Sequence, residues 1–349
     1  MKVLVGLVAA VAICVALFLA RTLLAPVVFG LFTIAIVWPL QRTLQARLPG
    51  MVATLITVVI ALFVVGGVTS VIIWGLGRVG QWVFANAALF QALYDQAGEW
   101  LEGHGFVLAS LITDHVDVRW LLRLFQDLSV RLQGLASFLV FTFVYVLLGL
   151  LEVEIVASQL RRLRDSGGPR ADLGRFLLSA TNDLARKLQK YMLVRTLMSI
   201  GTGFIVWIFT LTAGLELALA WGALAFALNY IPFIGPFVAT LLPTLFALVQ
   251  LGSWEMALFV FISLNIIQFL SGSYIEPRIA GATLSVSPFL VLFSVFFFGF
   301  LWGIAGAFIG VPILIGILTF CAHSSNSRYL AELFSGRMAS AGETAIKKS

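Results

Sequence analysis

The sequence predicts an all-α polytopic membrane protein with about eight hydrophobic segments. Three observations carry this. Of 349 residues, 61% are hydrophobic and 11% charged, with a mean hydropathy of +1.05. Soluble domains carry about 25% charged residues, and no soluble fold of this size could cover so much apolar surface. The apolar residues also fall into runs near the roughly 20 that a spanning helix needs. Two runs, 215–251 and 288–322, exceed one simple span and are interrupted by Pro or Gly, as expected of re-entrant or broken helices. The formal charge of +6 and the pI near 9.6 then report basic cytoplasmic loops rather than a nucleic-acid partner.

The eight segments are 3–20, 23–40, 52–77, 135–157, 196–213, 215–251, 254–275 and 288–322. The start, MKVLVGLVAAVAICVALFLA, has the look of a signal peptide, but Arg21 and a second apolar run follow at once. It reads better as the first arm of a membrane hairpin. Cys14 and Cys321 sit in apolar runs and read as small hydrophobes, not as a disulfide or metal pair. The chain divides into N-terminal transmembrane helices (1–77), an extracytoplasmic amphipathic region (78–131), a transmembrane helix (132–157), basic cytoplasmic or interfacial helices (158–195), a transport core (196–322) and a cytoplasmic tail (323–349).

Charge sets the orientation. Residues 78–131 hold four basic against six acidic side chains, and 158–195 hold nine against three. The positive-inside rule therefore puts 158–195, Arg42, Arg47 and both termini in the cytoplasm. Arg21 falls outside, within snorkelling reach of head groups. Two schemes bring the tail inside. Either 215–251 crosses once and Arg278 lies outside, or 215–251 turns back on the outer side, Arg278 lies inside, and 288–322 is a second hairpin entered from the cytoplasm. The second explains the length and the breaks of both segments and is preferred.

In 172–195, Leu177, Ala180, Leu184, Leu188 and Tyr191 form an apolar stripe. It fits a helix lying on the inner interface or one packed against protein. In 78–131, Trp82, Trp100 and Trp120 suit an interface, Gly103–His104–Gly105 a helix break, and His104 and His115 are solvated surface groups rather than a metal site.

Three constellations carry the functional expectation. NYIPFIGP contributes Asn229, Pro232, Gly235 and Pro236, with Pro243 beyond. Proline removes a backbone donor, and at membrane depth irregular backbone survives only where protein surrounds it or a wet cavity reaches it. Transporters use such breaks to aim helix ends at a substrate. NIIQFLSGSYIEPRIAG sets Asn265, Gln268, Gly272 and Glu276 at steps of three, four and four, which is one helical face, with Pro277 and Arg278 closing the run. This stripe reads as a solute path, or Glu276 and Arg278 as an interfacial ion pair; Glu216 and Glu255 are weaker acidic candidates. In VSPFLVLFSVFFFGFLWGIAGAFIGVPI, the spacing of Gly299, Gly303, Gly306 and Gly310, with Pro312, reads as helix packing or as a hinge near Gly303.

Taken together, NYIPFIGP, IEPRIAGATLSVSP, GFLWGIAGAFIGVPI and the early WPLQRTLQARLP resemble the autoinducer-2 exporter (AI-2E) family of bacterial membrane proteins, most closely over 180–320. The resemblance implies eight hydrophobic segments with a polar stretch after the third. It also implies residence in the bacterial inner membrane and export of the quorum-sensing signal autoinducer-2, with sodium/proton antiport in some members. No Walker A loop, HExxH, GxSxG or intramembrane Asp pair occurs, and His323 has no partner acid in sequence. The expectation is a non-enzymatic, cofactor-free secondary exporter of a small polar solute, working by alternating access. Asn229, Asn265 and Gln268 would bond solute hydroxyls, and Glu276 would couple a proton or sodium ion. Segments 215–251, 254–275 and 288–322 would move against the rest. The outer helices and small-residue faces suit a homo-oligomer. The alternatives are a cation/proton antiporter, weakened by the lack of a mid-segment acid, and a non-transporting scaffold or channel-like assembly protein.

Overall fold

A computed structural model describes residues 2–92, 96, 103, 118–280, 286–324 and 327–334. Its described residues are helical and contain no strand. The helices are α1 (Lys2–Leu19), α2 (Arg21–Gln45), α3 (Gly50–Ala85), α4 (Val118–Asp165), α5 (Gly168–Thr212), α6 (Ala218–Leu228), α7 (Ile234–Leu251), α8 (Trp254–Phe269), a π-helical turn (Leu270–Ile275), α9 (Glu276–Ala280), α10 (Pro288–His323) and α11 (Arg328–Phe334). Among the described residues seven helices are long and apolar enough to cross a bilayer. Each hydrophobic segment read from the sequence falls on one helix, except that 215–251 makes a pair, 288–322 is α10, two helical arms that meet at Gly303, and 254–275 runs on from α8 through the π-helical turn. The chain is an all-α polytopic membrane protein. His104 and His115 lie outside the described residues.

By contact the chain divides into two compact units: Met1–Leu62, Val140–Val194 and Pro277–Ser349 form one, Phe63–Leu139 and Arg195–Glu276 the other. In the first unit Ile34, Val146 and Leu150 form a small core, and Phe29 meets Phe308 at 5.5 Å between ring centroids. The second unit holds the larger core, with Trp221, Leu224, Phe246, Val260 and Leu264 at its centre. Large apolar side chains such as Phe63 and Phe300 stand exposed. In water such surfaces would aggregate; in a bilayer they meet hydrocarbon.

The amphipathic stretch 172–195 is not a separate element. It continues without a break into the apolar part of α5. Its stripe is covered by protein: Ala180 and Leu188 are buried, Phe176 packs on Phe320, and Lys187 donates to the Thr319 hydroxyl at 3.3 Å. The stretch therefore packs against protein along this stripe.

Candidate functional site

The long segment 215–251 is a helical hairpin. Helix α6 has 11 residues, about 16 Å, too short to cross a hydrocarbon core of about 30 Å. Its partner α7 doubles back on it, so that Trp221 meets Phe246 edge-on at 5.1 Å. At the open end, Gln250 donates to the Gly214 carbonyl at 3.0 Å and accepts from the Glu216 backbone N–H at 2.9 Å. Trp82 donates to the Glu216 carboxylate at 2.6 Å. Both ends of the segment therefore lie together, which excludes a single broken span. Glu216 is a clasp for the open end, and Glu255 accepts from Ser253 at the start of α8 at 2.7 Å.

The prolines explain the turn. Pro232 sits in it and Pro236 in the first turn of α7, where backbone donors have no helical partner to lose. Phe233, at φ 63° and ψ −54°, spans a hydrogen bond of 2.7 Å from the Ile234 N–H to the Pro232 carbonyl. This is a γ-turn with positive φ, a strained conformation for a bulky residue. At Gly235 a Cβ would collide with the Leu228 carbonyl oxygen, so only glycine lets the arms close.

The tip of this hairpin meets polar groups of α5. Asn229 is buried and its amide donates to the Ser199 hydroxyl at 3.4 Å, and Tyr230 donates to the Thr196 hydroxyl at 3.1 Å. At its base, the Leu215 N–H donates to the Thr210 carbonyl at 3.0 Å. From Thr210 to Thr196 the hairpin thus follows α5 for about 21 Å, at roughly 1.5 Å per residue.

Helix α8 completes the polar row, though not on the face that the sequence spacing predicts. Asn265 is exposed and its amide returns to the Phe261 carbonyl at 2.8 Å, and Gly272 is exposed as well. The buried line instead runs Val260, Leu264, Gln268 and Ser271, and ends at the half-buried Glu276. From Val260 to Ser271 this line keeps ordinary helical steps of four, four and three; the π-helical turn at 270–275, in which the Glu276 N–H reaches back five residues to the Ser271 carbonyl, then brings Glu276 onto it. A reading at 3.6 residues per turn assumes no such insertion. Ser271 shares a hydrogen bond with Thr202 of α5. Beyond the turn, Pro277 and the exposed Arg278 open α9.

Glu276 pairs with Arg195. One terminal nitrogen of Arg195 holds both carboxylate oxygens, at 2.8 and 2.6 Å. Arg195 is only 6% exposed. Sequence reasoning counted it among the basic cytoplasmic residues. Its signal was its setting, between Leu193–Val194 and Thr196–Leu197 at the head of an apolar run. Three buried N–H groups of this unit have no partner among the described residues: Nε of Arg195, Nε2 of Gln268 and Nε1 of Trp221. Each costs about 1–3 kcal/mol if left so. The site therefore gathers Asn229, Gln268 and Glu276 of the expected residues, adds Arg195, Ser199, Thr202 and Ser271, and leaves Asn265 out.

The second long segment, 288–322, also doubles back, at Gly303 (φ 66°, ψ −144°), a conformation that side chains disfavour. A Cβ on Gly306 would strike the Phe298 carbonyl, and one on Gly310 would lie 2.7 Å from the Ser294 carbonyl. Gly299 faces Ala307 across the arms, and Pro312 is buried in the second arm. Gly303 thus turns the chain, and Gly299, Gly306 and Gly310 lie where the arms touch. At the turn, Trp302 donates to the Leu17 carbonyl of α1 at 3.1 Å. Among the described residues no group of acidic, His and Cys side chains could hold a metal ion.

Spanning helices, two segments that double back, and a buried polar row that includes a charged pair define a polytopic membrane transporter. The chain belongs to the AI-2E family of transporters, whose family profile matches residues 7–326. It is similar to the AI-2 transport protein TqsA of Escherichia coli K12, with 26% identity over 326 residues, 90% of each chain. A candidate transport protein of Borreliella burgdorferi is 33% identical over 183 residues, 52% of this chain and 49% of that one. A further candidate, YhhT of Escherichia coli K12, is 35% identical over 123 residues, 35% of each. The match thus spans about half of the Borreliella protein and nine-tenths of TqsA.

Proposed function

We propose that this chain is a secondary exporter of a small polar solute of the autoinducer-2 kind, acting by alternating access in the bacterial inner membrane. The observation that carries the reading is the polar row at the tip of the 215–251 hairpin. Asn229, Gln268 and Ser271 offer hydrogen bonds in an otherwise oily interior. Buried polar groups of this kind in a membrane helix mark a solute path. Charge counts support cytoplasmic termini, with the hairpin entering from the outer side. Glu276 is the group to which a coupling proton or sodium ion would bind, in exchange for its contact with Arg195. A homo-oligomer remains part of the proposal, on the strength of the outer helices and small-residue faces read from the sequence.

The test is efflux of autoinducer-2 from loaded proteoliposomes containing the purified protein. Gln268→Ala should slow efflux about tenfold, the loss of one or two solute hydrogen bonds, and Asn265→Ala should leave it unchanged. Equal rates for parent and Gln268→Ala would remove the row from the path. A second reading, cation/proton antiport, draws on the partly buried Glu276 carboxylate. Sodium-driven proton flux that Glu276→Gln abolishes, with no autoinducer-2 efflux in the parent, would favour it.

A further inference from the structure

Among the described residues of the second unit, the three unpartnered buried polar atoms are all donors: Nε of Arg195, Nε2 of Gln268 and Nε1 of Trp221. What the interior lacks is acceptors. A cation or a donor-rich ligand would not remedy this; a ligand bringing negatively charged oxygens would. The geometry of Arg195 points the same way. Arginine normally grips a carboxylate through two parallel N–H bonds. Here a single terminal nitrogen serves both oxygens of Glu276, and the Nε–H, buried with the rest of the side chain, is committed to nothing among the described residues. Glu276 therefore neutralises the guanidinium without using its Nε edge. Arg195 also stands one residue from Thr196 and four from Ser199, the two residues that hold the hairpin tip.

We infer that Arg195 is an oxyanion-binding residue, whose Nε edge receives an anionic oxygen of the solute while Glu276 retains the terminal nitrogen. This rests on the transporter reading above and narrows it: the solute class is small and polar, and carries an oxyanion such as a carboxylate or phosphate. The planar guanidinium suits that chemistry better than an ammonium would. The same chemistry is offered by a phospholipid head group, so the source must be separated by experiment.

The full-length protein would be purified into nanodiscs of phosphatidylcholine, and its thermal unfolding followed by tryptophan fluorescence. Inorganic phosphate is titrated against chloride at matched ionic strength, with ribitol as a neutral polyol. Phosphate should raise the melting midpoint saturably and ribitol should not. Arg195→Gln should abolish the response. Arg195→Lys, which keeps the charge and loses the planar edge, should raise the half-saturating phosphate concentration about tenfold. Glu276→Gln should respond at lower phosphate than the parent. If Arg195→Gln does not fold, the opposite shifts expected of Arg195→Lys and Glu276→Gln decide. An undiminished response in Arg195→Gln or Arg195→Lys, protection by ribitol equal to that by phosphate, or no phosphate response in nanodiscs of either composition would overturn the inference. A parallel series in phosphatidylcholine with phosphatidylglycerol at about three to one identifies the source. An Arg195-dependent stabilisation by that lipid, with none by soluble phosphate, assigns the oxyanion to a head group and overturns the solute assignment. Efflux without any Arg195-dependent anion response refutes the oxyanion site and leaves the transporter reading standing. An Arg195-dependent anion response without efflux refutes the transporter reading and leaves an oxyanion site with no transported solute assigned to it.

Discussion

Two hairpins turn back on themselves in this chain, by different means. The 215–251 hairpin turns through Tyr230–Phe233, with a proline, a γ-turn at Phe233 and a buried asparagine at its head. The 288–322 hairpin turns on one glycine, its arms apolar and joined through Gly306 and Gly310. The first has polar side chains that bond to hydroxyls of α5. The second has a tryptophan at its turn that bonds a helix-end carbonyl. The difference separates two jobs that look alike in sequence. On the function proposed above, the proline-marked break, which carries polar side chains, would present chemistry, and the glycine-marked break among phenylalanines would pack.

On that division, substitutions should sort into those that unfold and those that only disable. The largest effect is expected at Gly306→Ala, because its Cβ would strike the Phe298 main chain and force the arms apart. A loss of about 3 kcal/mol should appear as a lowered melting midpoint, with efflux falling only as the folded fraction falls. Gly303→Ala should cost about 2 kcal/mol through its positive φ, again without a specific transport defect. Asn229→Ala sharpens the contrast. Its hydrogen bond is long, so stability should change by about 1 kcal/mol or less, yet efflux per folded molecule should fall about tenfold. A Gly303→Ala protein that is fully stable but inactive would erase the distinction. The smallest effect is expected at Phe233→Gly, which relieves the γ-turn. It should change stability by under about 1 kcal/mol, and any fall in efflux rate would show that the strain is used.

Much of this was legible in the sequence. Apolar runs and the clustering of Pro232, Gly235 and Pro236 suffice to place the helices and the first hairpin, because a bilayer leaves the backbone so few options. The turn at Gly303 was legible as one of two readings of its glycine spacing. The polar row was legible only in part. Arg195 and Glu276 are 81 residues apart, and nothing local couples them. The helical wheel grouped Asn265 and Gly272 with Gln268 and Glu276, whereas the fold buries Leu264 and Ser271 beside Gln268, because spacing alone does not say which flank of a polar stripe meets protein. Ser199 and Thr202 went unremarked because small hydroxyls in membrane helices often satisfy themselves on the preceding turn. The amphipathic stripe of 172–195 was plain, but its covering by α10 depends on residues more than a hundred positions away and leaves no local mark.

The indole of Trp302 ends at the Leu17 carbonyl, one of the last four oxygens of α1, for which the helix itself supplies no donor. A tryptophan nitrogen thereby ties α1 to a segment 285 positions later. A shortened form beginning after Arg21 would strip that nitrogen of its acceptor, and Phe300 of the ring of Phe18 that it stacks on. Whoever trims the N-terminus for crystallisation or fuses a reporter there is therefore working on the rim of the second hairpin.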